Sequence, residues 1–417
     1  MLLSASLSAA RFRIKVQIDA RTQALYGKYM LKTPKNTQDI TATGSAPEGT
    51  PESVLVLGVE SSCDETAASV VQRSKDGQVV VLSSLVASQN EAHAPYGGVV
   101  PEIAARAHMQ KIESLIAGAI EAADITWSDL DAVAATAGPG LIGGVMTGLL
   151  AAKGLAVSLD IPLIGINHLE GHALSPRLTQ DCPFPYLLLL VSGGHTQLLS
   201  VDGVGDFTRL GSTVDDAAGE TFDKTAKIMS LGFPGGPALE RMAEFGNPTA
   251  ISLPRPFKGK PHADFSFSGL KTAAARAFDK LGNTCEQGKA DLAASFQQAV
   301  SDVLCDRTSN AMGMFTKTHT KPGEDPYRFV VAGGVAANTT IRGALENLCA
   351  GKDFTLIAPP LEYCGDNGAM IALVGAERLL LGRVDTLNVK ARPRWPLDMG
   401  SATQNPASGF GKKGPKS

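Results

Sequence analysis

Two histidines set one turn apart open the chemical reading. His168 and His172 in HLEGH stand at i and i+4, so on a helix both imidazoles leave from one face and can chelate one ion. The glutamate between them, Glu170, sits two residues from each, about 200° round such a helix, and faces away. A zinc peptidase of the HExxH type needs its glutamate directly after the first histidine, beside the metal-bound water. The pattern resembles a metal site without the peptidase base; two histidines capping or packing in the cleft are the bland alternative. Two histidines leave a coordination sphere short, and Asp366 in GDNGAM, a carboxylate near a helix start, is the best third ligand. Its bland alternative is a helix N-cap. Two imidazoles and a carboxylate leave positions open for substrate and suit Fe2+ and Zn2+ alike.

Glycine turns form the second group. Ser192, Gly193 and Gly194 in SGGHT, Gly235 and Gly236 in PGGP, and Gly333 and Gly334 in GGVAAN each follow an apolar run or a helix end. Backbone N–H groups with no Cβ in the way can approach phosphate or ribose. No GxxxxGK[ST] occurs, which excludes a P-loop, and no GxGxxG opens the first unit. Asp223 and Lys224 stand on a helix able to face the same cleft, with a solvated helix face as the equal alternative. Arg255, Lys258, Lys260 and Lys271 surround a stretch holding Phe257, Phe265 and Phe267, a mixture that can grip phosphates and stack bases, or form a core-facing loop with a charged rim.

These groups need rigid elements to hold them. Val54–Glu60 reads as a buried strand, SSCDET as its turn and AASVVQ as the return strand. Helices are expected over 99–124 and 142–159, with strands over 131–136 and 162–166 leading into HLEGHAL. The pattern then restarts. YLLLLV, a glycine turn and QLLSV form a second hairpin, followed by a helix over 216–231, a strand over 327–332, a helix over 338–350, a short strand over 356–358 and a helix after GDNG. Alternating strands and helices imply an α/β protein, and the recurring hairpin points to two related lobes.

Composition narrows the class. The chain has 417 residues, 44% hydrophobic and 19% charged, enough for a large core without a metal or disulfide staple. The six cysteines lie apart with no CxxC pair, which suits a reducing compartment. Residues 1–36 carry a balance of +6 and residues 390–417 one of +5, so within a total of −3 the body over 37–389 holds −14. Any nucleic acid must meet local basic patches or tails, since the general field is negative. No stretch reads as a membrane span, because the longest apolar run is broken by Lys153 and Asp160. TATGSAPEGTPE reads as a linker, and the basic segment before it as a disordered extension or a transit peptide.

Taken together, GVESSCDET, GGVVPEIAARAH, TAGPGLIGGVMTGL, NHLEGH, LVSGGHTQL, DDAAGETFDKTAK, PGGP, DFSFSGLKTA, AGGVAAN and YCGDNGAMIA, in that order, strongly resemble the TsaD family. That family comprises tRNA threonylcarbamoyladenosine transferases, once named O-sialoglycoprotein endopeptidases. The resemblance covers Val54 to Leu381. It implies an α/β actin-like ATPase fold, two lobes around a nucleotide and metal cleft. An extension and linker would occupy 1–53, lobe I 54–184, lobe II 185–388 with its last helix able to pack back on lobe I, and a basic tail 389–417. It implies transfer of threonylcarbamoyl from threonylcarbamoyl-AMP to N6 of the adenosine 3′ of the anticodon, in tRNAs reading codons that begin with A. His168, His172 and Asp366 become the ligands of one divalent metal, Fe2+ by expectation and Zn2+ as the alternative. Leu190, Val191, Ser192, Gly193, Gly194, Asp223, Gly235 and Asn338 become substrate contacts. Implied partners are tRNA, a paralogous actin-like-fold protein of TsaB type and a small ATPase of TsaE type, with no membrane. The expected location is the cytoplasm, or the mitochondrial matrix if the N-terminus is a transit peptide. A metallopeptidase, an ATPase or kinase of the same fold, and a non-catalytic scaffold are the competing classes.

Overall fold

The structure is a computed structural model that describes residues 51–281, 286–321 and 323–404. Most of the N-terminal extension, Cys285 and the tail beyond 404 lie outside the described residues.

Two mixed five-stranded sheets form the frame. The first has the order β3-β2-β1-β4-β5, from β1 (Ser53–Glu60), β2 (Glu65–Ser74), β3 (Val79–Ser88), β4 (Ala132–Gly138) and β5 (Leu163–Asn167). The second, from β6 (Tyr186–Val191), β7 (Thr196–Gly203), β8 (Asp206–Ser212), β9 (Tyr327–Ala332) and β10 (Phe354–Ile357), runs β10-β9-β6-β7-β8. Read from the hairpin edge, the orders are the same. In each sheet the first three strands are antiparallel and the last two join in parallel, β1 with β4 and β6 with β9. The repeat hinted at by two glycine-tipped hairpins is thus a repeat of whole sheets. The edge strands β3 and β8 are half exposed; β8 presents no continuous apolar run, whereas β3 opens on one, Val79–Leu82, a signal the sequence reading did not use.

Helix α1 (Pro101–Ala122) and helix α2 (Ile142–Leu159) cover one face of the first sheet. Helix α3 (His168–Leu174) follows β5 directly. In the second half, α4 (Ala218–Ile228), α5 (Gly235–Ala243), α6 (Ser268–Leu281), α7 (Glu286–Thr318) and α8 (Thr339–Ala350) share a core built on β6 and β9. Helix α9 (Gly368–Leu380) comes last in sequence yet packs on β1, β2 and β4 of the first sheet. Eleven of its thirteen residues are buried, so it reads as an almost continuous apolar segment. Its close approach depends on Gly58 of β1, where a Cβ would lie 2.2 Å from the carbonyl oxygen of Gly368. Only a strand with no side chain there lets the start of α9, and Asp366 just before it, reach the first lobe.

The segment after α9 is packed rather than free. Asp385 bonds β5, with its N–H donating to Leu163 O at 2.9 Å and Gly165 N–H donating to its carboxylate at 2.9 Å. Arg392 N–H donates to Ala137 O at 2.8 Å, and Arg209 N–H of β8 donates to the Asp398 carboxylate at 2.9 Å. Residues 389–401, read on sequence as the start of a basic tail, therefore lie along β4 and β5 and on to β8. The reason is backbone pairing, which composition does not reveal.

Candidate metal centre and nucleotide cleft

The metal cluster is assembled from two lobes. Asn167 caps α3, its side-chain oxygen accepting from Leu169 N–H at 2.9 Å, and this cap starts the helix at His168. His168 and His172 then rise on one face, with ring centroids 4.7 Å apart. Asp366 arrives from the other side of the chain. Its neighbour Asn367, not Asp366, caps α9 by accepting from Met370 N–H at 2.9 Å. That settles the N-cap alternative and leaves the Asp366 carboxylate for the cluster. Its Oδ1 lies 3.0 Å from His172 Nε2 and 3.5 Å from His168 Nε2. One ligand atom from each of the three residues falls within 4.8 Å of the others. His168 and His172 are buried.

A second layer fixes the first. Glu60, at the end of β1 and fully buried, accepts from His168 Nδ1 at 2.9 Å, and Thr136 donates to the same carboxylate. A neutral His168 therefore carries its proton on Nδ1 and turns Nε2 to Asp366, the tautomer a metal ligand needs. Glu60 was not singled out from sequence. The available signal was its charge at the end of an otherwise apolar strand, where an unpaired carboxylate would be costly.

Electrostatics favour a cation here. Burial opposes charge on His168, yet the Asp366 and Glu60 carboxylates outweigh it and raise the imidazole to about 9. Burial likewise opposes charge on Asp366, and the histidines outweigh it, holding the carboxylate well below its usual range. Glu65 is pushed up to about 10, first by burial and then by Asp366 and Asp64. A proton on His168 stands where a metal ion would satisfy the same carboxylates. Two imidazole nitrogens and one carboxylate oxygen, converging and backed by Glu60, fit a divalent metal.

Glu170 behaves as its spacing predicts. It is buried on the opposite face of α3, and Arg378 of α9 donates to its Oε2 at 2.5 Å. It clamps α3 to α9 and is unavailable as a base at the cluster.

The glycine turns form a second feature. A pocket of about 270 Å³ is lined by Gly193, Gly219, Asp223, Gly236, Gly334 and Asn338, among others. Gly219 admits the start of α4 against the β6–β7 turn, since a Cβ there would lie 2.6 Å from Ser192 O. His195, in that turn, is held neutral, its imidazole lowered to about 3 by burial and then by the nearby His168 and His172. The turn therefore borders the metal cluster.

The remaining sequence candidates divide. Gly193 lines the pocket; Ser192 and Gly194 flank it in the same turn, and Gly235 starts α5 beside the lining residue Gly236. Leu190 and Val191 do not offer side chains to it. Both are fully buried on opposite faces of β6, so only their backbone could serve a ligand. Asp223 Oδ1 accepts from Gly235 N–H at 3.0 Å and Gly236 N–H at 3.2 Å, holding the start of α5. Asn338 caps α8 and donates to Gln297 at 2.8 Å, so much of its polar capacity is spent inside the protein. Lys224 pairs with Glu220 at 2.7 Å on a half-buried helix face. In the basic, aromatic stretch, Phe265 and Phe267 are core residues, Arg255 is paired with Asp302 at 3.0 Å and Lys271 with Asp216. Base stacking on those two rings is excluded by burial; Lys258 and Lys260 stay exposed.

The comparisons with known proteins meet this geometry. Residues 80–373 match the model of the TsaD family, tRNA N6-adenosine threonylcarbamoyltransferase. A relative from Maricaulis maris (strain MCS10) with that name is 56% identical over 372 residues, 89% of this chain and 98% of its own length. One from Caulobacter vibrioides, of the same name, is 56% identical over 363 residues, 87% of this chain and 98% of its own. Among solved structures, HypF of T. kodakarensis is similar in fold, with a TM-score of 0.53 at 15% identity over 79% of this chain and 48% of that one. The duplicated mixed sheets are those of the actin-like ATPase fold. Family model, relatives and cluster geometry converge: this chain belongs to the TsaD family of tRNA N6-adenosine threonylcarbamoyltransferases.

Proposed function

We propose that this protein transfers the threonylcarbamoyl group from threonylcarbamoyl-AMP to N6 of the adenosine 3′ of the anticodon, in tRNAs reading codons that begin with A. The observation that carries the reading is the convergence of His168, His172 and Asp366 beside a glycine-lined pocket, with Glu170 turned away. The second feature disfavours a peptidase, which needs a general-base glutamate beside the metal-bound water.

The donor is a mixed anhydride and is already activated, so no covalent nucleophile is required. N6 attacks the carbamoyl carbon, a C–N bond forms, and the bond from that carbon to the phosphate oxygen breaks with AMP keeping the electron pair. The proton lost from N6 ends in solvent. An exocyclic adenine amine is a weak nucleophile, so orientation and charge stabilisation must carry the rate. The Gly193–Gly194 turn holds the AMP portion through backbone N–H groups, and the start of α5 walls the same pocket. Asp223 keeps that start in place, and Glu60 with Thr136 fixes the ring of His168. A divalent metal on His168, His172 and Asp366, Fe2+ in our reading, supplies positive charge to the donor's oxygens when bound.

We further propose that the chain works with a paralogue of the same fold and a small ATPase. Support comes from α2, whose Ile142, Met146, Leu150 and Val157 are between 44% and 58% exposed, and from Met109 of α1 at 70%. Helix α2 is long and apolar enough to cross a membrane by length and composition, but its other face packs on the first sheet. An uncovered apolar stripe of this kind marks a protein contact. The free thiols suit the cytoplasm, which is our proposed location.

The test is incubation of the full chain, with and without such partners, with unmodified tRNA and threonylcarbamoyl-AMP, followed by nucleoside analysis. Threonylcarbamoyladenosine with release of AMP is expected. Its absence from metal-loaded, folded protein supplied with partners would refute the reading.

A further inference from the structure

We propose that the strap over residues 389–395 is a landing surface for the phosphate backbone of the acceptor tRNA, beside the metal centre. This rests on the transferase reading and deepens it by naming where the polyanion binds.

The strap is rigidly placed. Lys153 Nζ donates to Val389 O at 2.6 Å, Arg392 N–H to Ala137 O at 2.8 Å, and Asn167 Nδ2 to Trp395 O at 2.9 Å. Ala137 is the penultimate residue of β4, and Asn167 ends β5 and precedes the metal ligand His168. The strap thus crosses the same strand ends from which the metal helix starts.

Over 389–392 its side chains alternate as an extended segment should, and a bend at Pro393 ends the alternation. Val389, Ala391 and Trp395 pack against the first-lobe core, whereas Lys390, Arg392 and Arg394 are exposed. The Arg392 guanidinium stacks on the Trp395 ring at 4.4 Å, which holds it in place with little further ordering cost. Three outward cations in five residues stand against a body of −14 over 37–389. A polyanion approaching the cluster is repelled by most of the surface and attracted at this strap. The base to be modified must enter the cleft while its flanking phosphates stay outside, and a cationic rim next to α3 suits that division.

The experiment is equilibrium binding of an unmodified tRNA transcript to the full chain across a KCl series, with transfer assayed in parallel. Lys390→Ala/Arg392→Ala/Arg394→Ala is expected to flatten the log–log salt dependence by about two and to weaken binding roughly tenfold or more at moderate salt. Arg392→Lys/Arg394→Lys keeps the charges and should keep the slope. If the triple variant melts early, Lys390→Glu alone gives the same reading through an exposed side chain. A salt slope equal to wild type in a folded triple variant would overturn the proposal. So would a slope lost instead in Lys258→Ala/Lys260→Ala. The binding arm alone decides the strap. The transfer arm alone decides the enzyme, because a wild-type chain that binds tRNA but never yields threonylcarbamoyladenosine refutes the function and leaves the strap assignment standing.

Discussion

Glu60 and His168 are 108 residues apart in sequence and 2.9 Å apart in the fold, carboxylate to Nδ1. The contact exists because β1 and β5 end at the same edge of one sheet, with β4 between them. It leaves one imidazole nitrogen committed to Glu60 and the other aimed at Asp366. Outer partners of this type commonly change metal affinity by about 10–100-fold. We expect Glu60→Gln to fold and to bind its divalent metal in that range more weakly, measured by competition with a chelator. Wild-type affinity would show that His168 orients without Glu60.

The ligands themselves should separate from Glu170. His172→Ala is expected to fold, since a core of this size does not depend on one ion, and to lose most bound metal and transfer activity. Glu170→Gln should keep its metal while losing about 1–3 kcal/mol of stability, because it weakens a buried pair with Arg378. Metal analysis and thermal melts on both variants check this. Full metal content and normal transfer in His172→Ala would sink the metal assignment.

Protonation and metal binding should compete at His168. The folded, metal-free protein holds this imidazole at about 9, against about 6.5 when unfolded. A raised pKa gives stability that is fully present below about 6.5 and is lost as pH climbs through about 9. The melting temperature of the metal-free protein is therefore expected to fall across that window. Metal must displace the same proton, so its affinity should rise across the window. A chelator-treated melt series and metal titrations at matched pH values test both signs. A flat metal affinity from about 6.5 to about 9 would contradict the linkage.

Gly58→Ala should damage the site from a distance. Its Cβ would sit 2.2 Å from Gly368 O and 2.4 Å from Ala372 N, both backbone atoms, so α9 must move. We expect a loss of about 1–3 kcal/mol in stability together with weaker metal binding, because Asp366 rides on the start of α9. Lower stability with unchanged metal affinity would show that Asp366 is placed independently of that contact.

Much of this protein follows from sequence. HLEGH fixed which side chains share a helix face and sent Glu170 the other way, because helical angles are local. The buried strands β1, β4, β5, β6 and β9 declared themselves as apolar runs, since full burial on both faces leaves no room for polar residues. The ordered motifs carried the family.

Tertiary structure decided what depends on contacts between distant segments. The edge strand β8 had no continuous apolar run to declare it. Leu190 and Val191 were drawn into the cores by their place in β6, and Arg255 was claimed by Asp302 across 47 residues. Asn338 was taken up by the cap of α8 and by Gln297. Glu60 gained its role, and residues 389–401 their place along β4 and β5, from backbone and side-chain partners that no window of sequence contains. Local pattern sets which face a residue presents. Only the packing of β1, β5 and α9 at one sheet edge sets which faces meet, and the metal cluster is made of that meeting.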